Sequence, residues 1–161
     1  MSKLITFLTL PMPPSANVYW RTDFKNKRIY VSEEGLEYRR KVALICAAQN
    51  VRTLAGDVEY EFRYHFGPRG GDVGNRLKVL EDSLNLWAWI DDAQVQRGVF
   101  ERGDPANSTP WVAVTVNGSA WATRAEVENA RTAKAVATRK RRSTIRARRT
   151  VPNIKIAPRG A

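Results

Sequence analysis

The chain reads as an α+β domain, a mixed sheet of four to five strands with two main helices, followed by a basic C-terminal extension that is helical or disordered. Three observations carry this. Val58, Tyr60, Phe62, Tyr64 and Phe66 alternate with Glu59, Glu61, Arg63 and His65, the period of a strand with one wet face. Val73, Leu77, Leu80 and Leu84 recur at i, i+4, i+7 and i+11, which is one stripe of a helix. From Ser119 to Ala161 there are 12 Lys and Arg against Glu126 and Glu128, a net +10, whereas the preceding residues hold 15 basic and 14 acidic side chains.

Bulk properties bound the rest. A length of 161 residues with 43% hydrophobic content allows one domain, 1–118, and an appendage, 119–161. The single cysteine, Cys46, excludes an intramolecular disulfide, and its place in the helical set Tyr38, Val42 and Ile45 marks a buried, inert thiol. No run of about eighteen apolar residues exists and the N-terminus lacks a secretory leader pattern, so a cytoplasmic location and no membrane partner are expected.

Leu4 to Leu10 has few polar interruptions and is read as a central strand, ended by Pro11, Pro13 and Pro14. Val18 to Trp20 and Arg28 to Val31 flank the polar segment Arg21 to Lys27 and predict a hairpin. A solvated turn is the better explanation of the loop taken alone; only given a DNA substrate would its Arg21, Lys25, Lys27 and Arg28, beside Tyr19, Trp20 and Tyr30, make a phosphate-contacting flap. Ser32 before Glu33 and Glu34 is an N-cap signature for a helix running to about Asn50. Arg39, Arg40 and Lys41 lie mid-helix, facing either DNA or water.

The alternating strand ends at Gly67-Pro68, and Arg69-Gly70-Gly71 then delivers Asp72 to the N-cap of the next helix. His65, the only histidine, is explained by the strand's polar face. Val95 to Glu101 and Trp111 to Val116 predict two more strands, with Gly103 to Pro110 as an exposed hairpin loop between them. Trp121 to Arg149 is rich in Ala, Glu and Arg with isolated Val127, Val136 and Ile145. That composition predicts a long exposed helix or a segment that orders on binding, and Val151 to Ala161 should fray.

The candidate site lies in Gly70 to Val95. Asp72 heads the helix, Asn75, Lys78 and Asp82 share a polar stripe, and Asp91 and Asp92 follow the apolar run Trp87 to Ile90. Seen alone, the helix has a plain explanation in which Asp72 caps and Lys78 pairs with Asp82. Acids seldom enter an apolar run without a partner. A divalent cation would be one, since Mg²⁺ is held by one or two carboxylates and keeps waters for substrate phosphates. Such an ion polarises a phosphoryl oxygen and helps activate a water for in-line attack, with Lys78 placed to stabilise developing charge.

The order Asp72-Val73-Gly74-Asn75, Lys78, Leu84 and Asp91-Asp92-Ala93-Gln94-Val95, with LPMPPSAN at Leu10 to Asn17 and VSEEGLEYRRKV at Val31 to Val42, resembles the RusA-type Holliday junction resolvases. These are small Mg²⁺-dependent endonucleases, often encoded by phages and prophages. The resemblance runs from Leu4 to Val116. It implies Asp72 and Asp92 as metal ligands, Lys78 as the lysine needed for cleavage and Asn75 as the asparagine after the acidic motif. It also implies Mg²⁺, with Mn²⁺ as a substitute, and a homodimer acting on four-way junction DNA in a bacterial or phage-infected cell.

One position departs from the pattern. Where many relatives carry a second acid two residues after the first, this chain has Gly74. Either the ion makes do with two carboxylates and extra waters, Asp91 or Asp82 leaning in, or the protein binds junctions and cuts poorly. The candidate DNA contacts are Arg21, Lys25, Lys27, Arg69 and Arg76 in the domain and Arg139, Lys140, Arg141 and Arg142 in the extension. There, counterion release would give salt-dependent attraction without sequence preference. A solubilising tail and a small basic ribonucleoprotein component are the competing readings of the same charge.

Overall fold

The structure is a computed structural model that describes residues 4–106 and 109–150, with side chains to residue 140. In chain order the elements are β1 (Leu4–Pro11), α1 (Ala16–Tyr19), β2 (Trp20–Asp23), β3 (Arg28–Val31), α2 (Glu33–Ala48), β4 (Leu54–His65) and α3 (Gly74–Leu84). A 3-10 turn (Asp92–Gln94), β5 (Val95–Arg102), β6 (Trp111–Trp121) and α4 (Arg124–Thr150) complete them. The expected α+β architecture is present, as a four-stranded sheet in the order β1-β6-β4-β5 and a separate β2-β3 ribbon.

β4 is the spine of the sheet. Its alternation places Val58, Tyr60, Phe62, Tyr64 and the following Phe66 in the core, and it pairs with β6 on one side and β5 on the other. Rows of inward side chains cross the sheet, as in Leu8, Val114 and Phe62, or Leu10, Val112 and Tyr64. α2 contributes Tyr38, Val42 and Cys46 to this face and α3 contributes Val79, Leu80 and Leu84. Cys46 is buried as expected, and burial pushes its thiol up to about 11, which keeps it protonated and inert.

Two expectations about the sheet are corrected. Among the described residues β1 is an edge strand paired with β6 alone, and its Leu8 and Leu10 side is buried while Ile5 and Phe7 face outward. An apolar run on both faces suggested two-sided cover, but α2 and α3 cover one face. Gly103 to Pro110 does not close a hairpin, because β5 runs parallel to β4 on its far side and β6 lies antiparallel on its near side. The chain therefore crosses β4 between them. The parallel pair β4 and β5 is joined by α3, a strand–helix–strand unit that carries the candidate site.

Ser32 caps α2 by accepting from Gly35 N–H at 3.1 Å, as its sequence signature predicts. The predicted hairpin forms as β2 and β3, with Val18 and Tyr19 in the one-turn α1 instead of in the strand. β6 runs through the composition change at 119 as far as Trp121, and α4 begins at a capping box. Thr123 accepts from Glu126 N–H at 3.2 Å while Glu126 accepts from Thr123 N–H at 2.7 Å. Val151 to Ala161, expected to fray, lie outside the described residues. Among the described residues no helix is long and apolar enough to cross a membrane.

Candidate active site

α3 organises the site along one polar face. Asp72 lies just outside its N-terminus, where Oδ1 accepts from Asn75 N–H at 3.4 Å and Oδ2 from Asn75 Nδ2 at 2.8 Å. The capping role read from the sequence is thus met from one residue further out than the helix boundary, since Val73 is already helical at φ −66 and ψ −45. The loop before it uses its glycines structurally. Gly70 sits at φ +65, and a Cβ on Gly71 would lie 2.2 Å from the Phe66 ring. Arg102 donates to Gly71 O and lies over the same ring, so β5 holds the acid-bearing loop in place.

One turn along that face, Lys78 Nζ meets Asp82 Oδ1 at 2.9 Å and Asp92 Oδ2 at 3.2 Å. Partial burial works against the charge on Lys78, but the hydrogen bonds it donates to Asp82 and Asp92 outweigh it and hold its pKa above the ordinary lysine value. Asp92 is the most heavily supported acid of the site. Its Oδ1 accepts from Asn85 Nδ2 at 2.7 Å and from Trp89 Nε1 at 3.2 Å, while Oδ2 takes Lys78. Burial opposes its ionisation, and the bonds from Trp89, Lys78 and Asn85 overcome that, so the carboxyl is held below its usual range.

The structure therefore brings Lys78 to Asp92 and Asn75 to Asp72. These two anchors are three residues apart on one helix face, a rise of about 4.5 Å along the axis. Asp82, 17% exposed, is occupied by Lys78 and lies 3.8 Å from Arg39, whose guanidinium also covers the Tyr19 ring. Asp91 has a structural occupation. Its side chain accepts from Ala93 N–H at 3.0 Å, and Gln94 Oε1 accepts from Asp91 N–H at 2.8 Å, a reciprocal cap for the turn that presents Asp92. Gln94, given no role from sequence beyond a hydrogen bond near the site, also ties that turn to Gly56 O at 2.7 Å.

As a metal site the donor set is lean. Among the described residues no group of three or more His, Cys, Asp or Glu stands together as a cage. The donors on offer are the Asp72 carboxylate just before α3 and the Asp92 carboxylate in the 3-10 turn, a set short enough to suit only a hydrated ion such as Mg²⁺, which needs one or two protein oxygens. Gly74 shows what is missing. A Cβ built there lies 3.4 Å from Asp72 Oδ1, so a side chain at 74 would stand beside the first acid.

The expected DNA contacts divide. Arg21, Lys25 and Lys27 are exposed on the β2-β3 ribbon, where the turn is fixed by Asp23, which accepts from Asn26 N–H at 2.9 Å and from Arg28 Nε at 3.2 Å. Phe24, missed from sequence, stands at the tip of that turn and is 87% exposed. Arg69 is exposed beside the glycine loop, and Arg139 and Lys140 lie on the exposed surface of α4. The side chains of Arg141 and Arg142 lie outside the described residues.

Arg76 has a structural occupation: its guanidinium donates to Pro13 O and lies 5.6 Å from the centre of the Phe66 ring, so it clasps the proline loop to α3. His65 is where the alternation put it, stacked on Trp111 with Nδ1 2.8 Å from Asp104 O, and takes no part in the site.

Sequence reasoning also missed Asn85, Trp89 and Lys134. Asn85 and Trp89 both grip Asp92 because Leu86, at φ +70, turns the chain back so that Leu86 N–H bonds Trp89 O at 2.7 Å. A positive φ on a leucine has no sequence signature. Lys134, on α4, donates to Asn85 Oδ1.

Comparison with known proteins bears on this arrangement. The family model described as endodeoxyribonuclease RusA matches residues 11–117. The crossover junction endodeoxyribonuclease RusA of Escherichia coli K12 is 40% identical over 91 residues, covering 55% of this chain and 74% of that protein. The protein of the same name from Enterobacteria phage 82 is 37% identical over 91 residues, and that of Enterobacteria phage HK97 is 34% identical over 103 residues, covering 56% of this chain and 80% of the phage protein.

Proposed function

The chain belongs to the RusA endodeoxyribonuclease family, and from that membership we propose a Mg²⁺-dependent endonuclease that resolves four-way DNA junctions by hydrolysing phosphodiesters in paired strands. The observation that carries the chemistry is the meeting of Lys78 with Asp92 across 14 positions, on the same face of α3 that presents Asp72.

Asp72 and Asp92 would hold the ion, which supplies Lewis-acid polarisation of the phosphate and a more nucleophilic water. The chain's own residues do the rest. Asn75 fixes the Asp72 carboxylate with two hydrogen bonds, and Asn85 and Trp89 fix Asp92, so neither acid has to be ordered during the reaction. Asp82 holds Lys78 independently of Asp92, so the ammonium would stay at the site to stabilise charge developing on phosphate oxygens.

Substrate binding has two basic sources. The β2-β3 ribbon offers Arg21, Lys25 and Lys27, and the extension adds Arg139 and Lys140 on α4 with Arg141 and Arg142 next in sequence. A homodimer would match the two-fold symmetry of a four-way junction and place one site on each of two strands. The outer edge of β1, unpaired among the described residues and with exposed Ile5 and Phe7 beside it, supports pairing with a second copy.

Cleavage of a labelled four-way junction by the parent and by Asp92→Asn tests this reading. Mg²⁺-dependent nicking by the parent with retained binding but no nicking by the variant is expected; equal nicking would refute it. The absence of a third acid at Gly74 favours one second reading, a junction binder that cuts slowly. It would appear as tight binding by both proteins with slow cleavage, or none, by the parent.

A further inference from the structure

We propose that Lys134 is a positioning residue for Asp92, and that α4, which follows the family-matched residues, is therefore a working part of the site. The activity arm of this inference rests on the endonuclease reading; its metal-binding arm does not.

Lys134 Nζ donates to Asn85 Oδ1, and Asn85 Nδ2 donates to Asp92 Oδ1 at 2.7 Å. An amide carries its acceptor on one atom and its donors on the other. An ammonium held on the oxygen leaves only the NH₂ group to face the carboxylate, so the amide cannot flip away. Arg131 gives α4 a second hold, its guanidinium 5.5 Å from the centre of the Trp87 ring. Asn85 and Trp87 flank Leu86, the corner at φ +70 that brings Trp89 back to Asp92. The helix thus grips both sides of the backbone turn on which Asp92 depends.

Lys134 also lines, with Arg39, Asp82, Asn85, Trp87 and Asp92, a cavity of about 340 Å³. An exposed lysine in a simple surface pair contributes little. Here its partner is an amide whose other end holds a candidate metal ligand, so order imposed on Asn85 passes to Asp92. A lysine acting only as a nearby positive charge would influence metal and DNA whether or not Asn85 were present.

The test is a double-mutant cycle in the full chain with Lys134→Met and Asn85→Ala, plus Lys134→Arg as the conservative variant. Two quantities are read: single-turnover cleavage of a four-way junction at saturating DNA and Mg²⁺, and Mn²⁺ affinity by titration. Lys134→Met should slow the saturated rate about five- to tenfold while leaving the junction KM within about twofold. It should have no further effect in the Asn85→Ala background, and Lys134→Arg should retain most of the rate.

An effect of equal size in both backgrounds, or one confined to KM with a shallower salt dependence, would overturn the proposal and leave Lys134 as a DNA-contacting charge. If the parent cuts no junction, the endonuclease reading fails by itself and the Mn²⁺ cycle still decides. A Lys134→Met change in Mn²⁺ affinity seen only when Asn85 is present supports the relay; an identical change in both backgrounds, or none, overturns it.

Discussion

Lys78 Nζ lies 3.2 Å from Asp92 Oδ2, although 14 positions of chain separate the two residues. The turn after α3 is what closes that gap, and three further donors or anchors hold it closed: Asn85, Trp89 and the Asp91–Gln94 cap. A carboxylate so supported on one side is oriented before any ligand arrives, which lowers the cost of using it.

Gly74→Asp should strengthen metal binding. The new side chain would start 3.4 Å from Asp72 Oδ1 at the head of α3, where the backbone is helical and a carboxylate suits the dipole. Two adjacent like charges repel without an ion, so the Mg²⁺-induced rise in Tm should be larger in the variant than in the parent, and cleavage at limiting Mg²⁺ faster. An unchanged Mg²⁺ response would mean that the missing acid is irrelevant here.

The pH dependence of stability follows from the pKa directions. Asp92 is lowered, so its contribution is present above the unfolded value of about 3.9 and is lost as pH falls through the folded value. Lys78 is raised, so its contribution is present below about 10.4 and is lost as pH rises through its higher folded value. Urea unfolding of the parent and Asp92→Asn should differ by a constant amount from about pH 6 to 9, and the difference should shrink on the acid side. A difference that grows on acidification would contradict the assignment.

Arg76→Met should act on stability and not on DNA. Losing the bond to Pro13 O and the contact with Phe66 should cost about 1–3 kcal/mol in urea unfolding, as for a charged hydrogen bond. Junction affinity at fixed salt should stay within about twofold of the parent when folding is complete. A large affinity loss with unchanged stability would place Arg76 among the DNA contacts.

Phe24→Ala should do the reverse. An aromatic ring 87% exposed, at the tip of a ribbon carrying Lys25 and Lys27, contributes little to the core, whereas a base stacked on it is worth about 1–3 kcal/mol. Fluorescence anisotropy with a four-way junction should register roughly a 5- to 150-fold weaker Kd and no change in Tm. An unaltered Kd would remove Phe24 from the interface.

The parts of this structure legible from sequence are those governed by period. The β4 alternation, the α3 stripe and the Ser32 cap each recur as residue spacing, and so does the placement of Asp72, Asn75, Lys78 and Asp82 on one segment. Sheet order was not legible, because nothing local tells Leu4 to Leu10 that β6 alone will pair with it. The direction of Arg76 was equally hidden, since an arginine on a helix face can meet either phosphate or Phe66. Asn85 and Lys134 lie 49 positions apart and meet only because Leu86 takes a left-handed turn and α4 folds back across it. The start of α4 is also marked locally, by the Thr123 to Glu126 capping box.

The most direct test is the position of Mn²⁺ in crystals of the protein soaked with the ion, located by its anomalous signal. The account predicts one ion between Asp72 and Asp92, absent in the Asp72→Asn, Asp92→Asn double variant. An ion bound elsewhere, or retained when both carboxylates are gone, would contradict it.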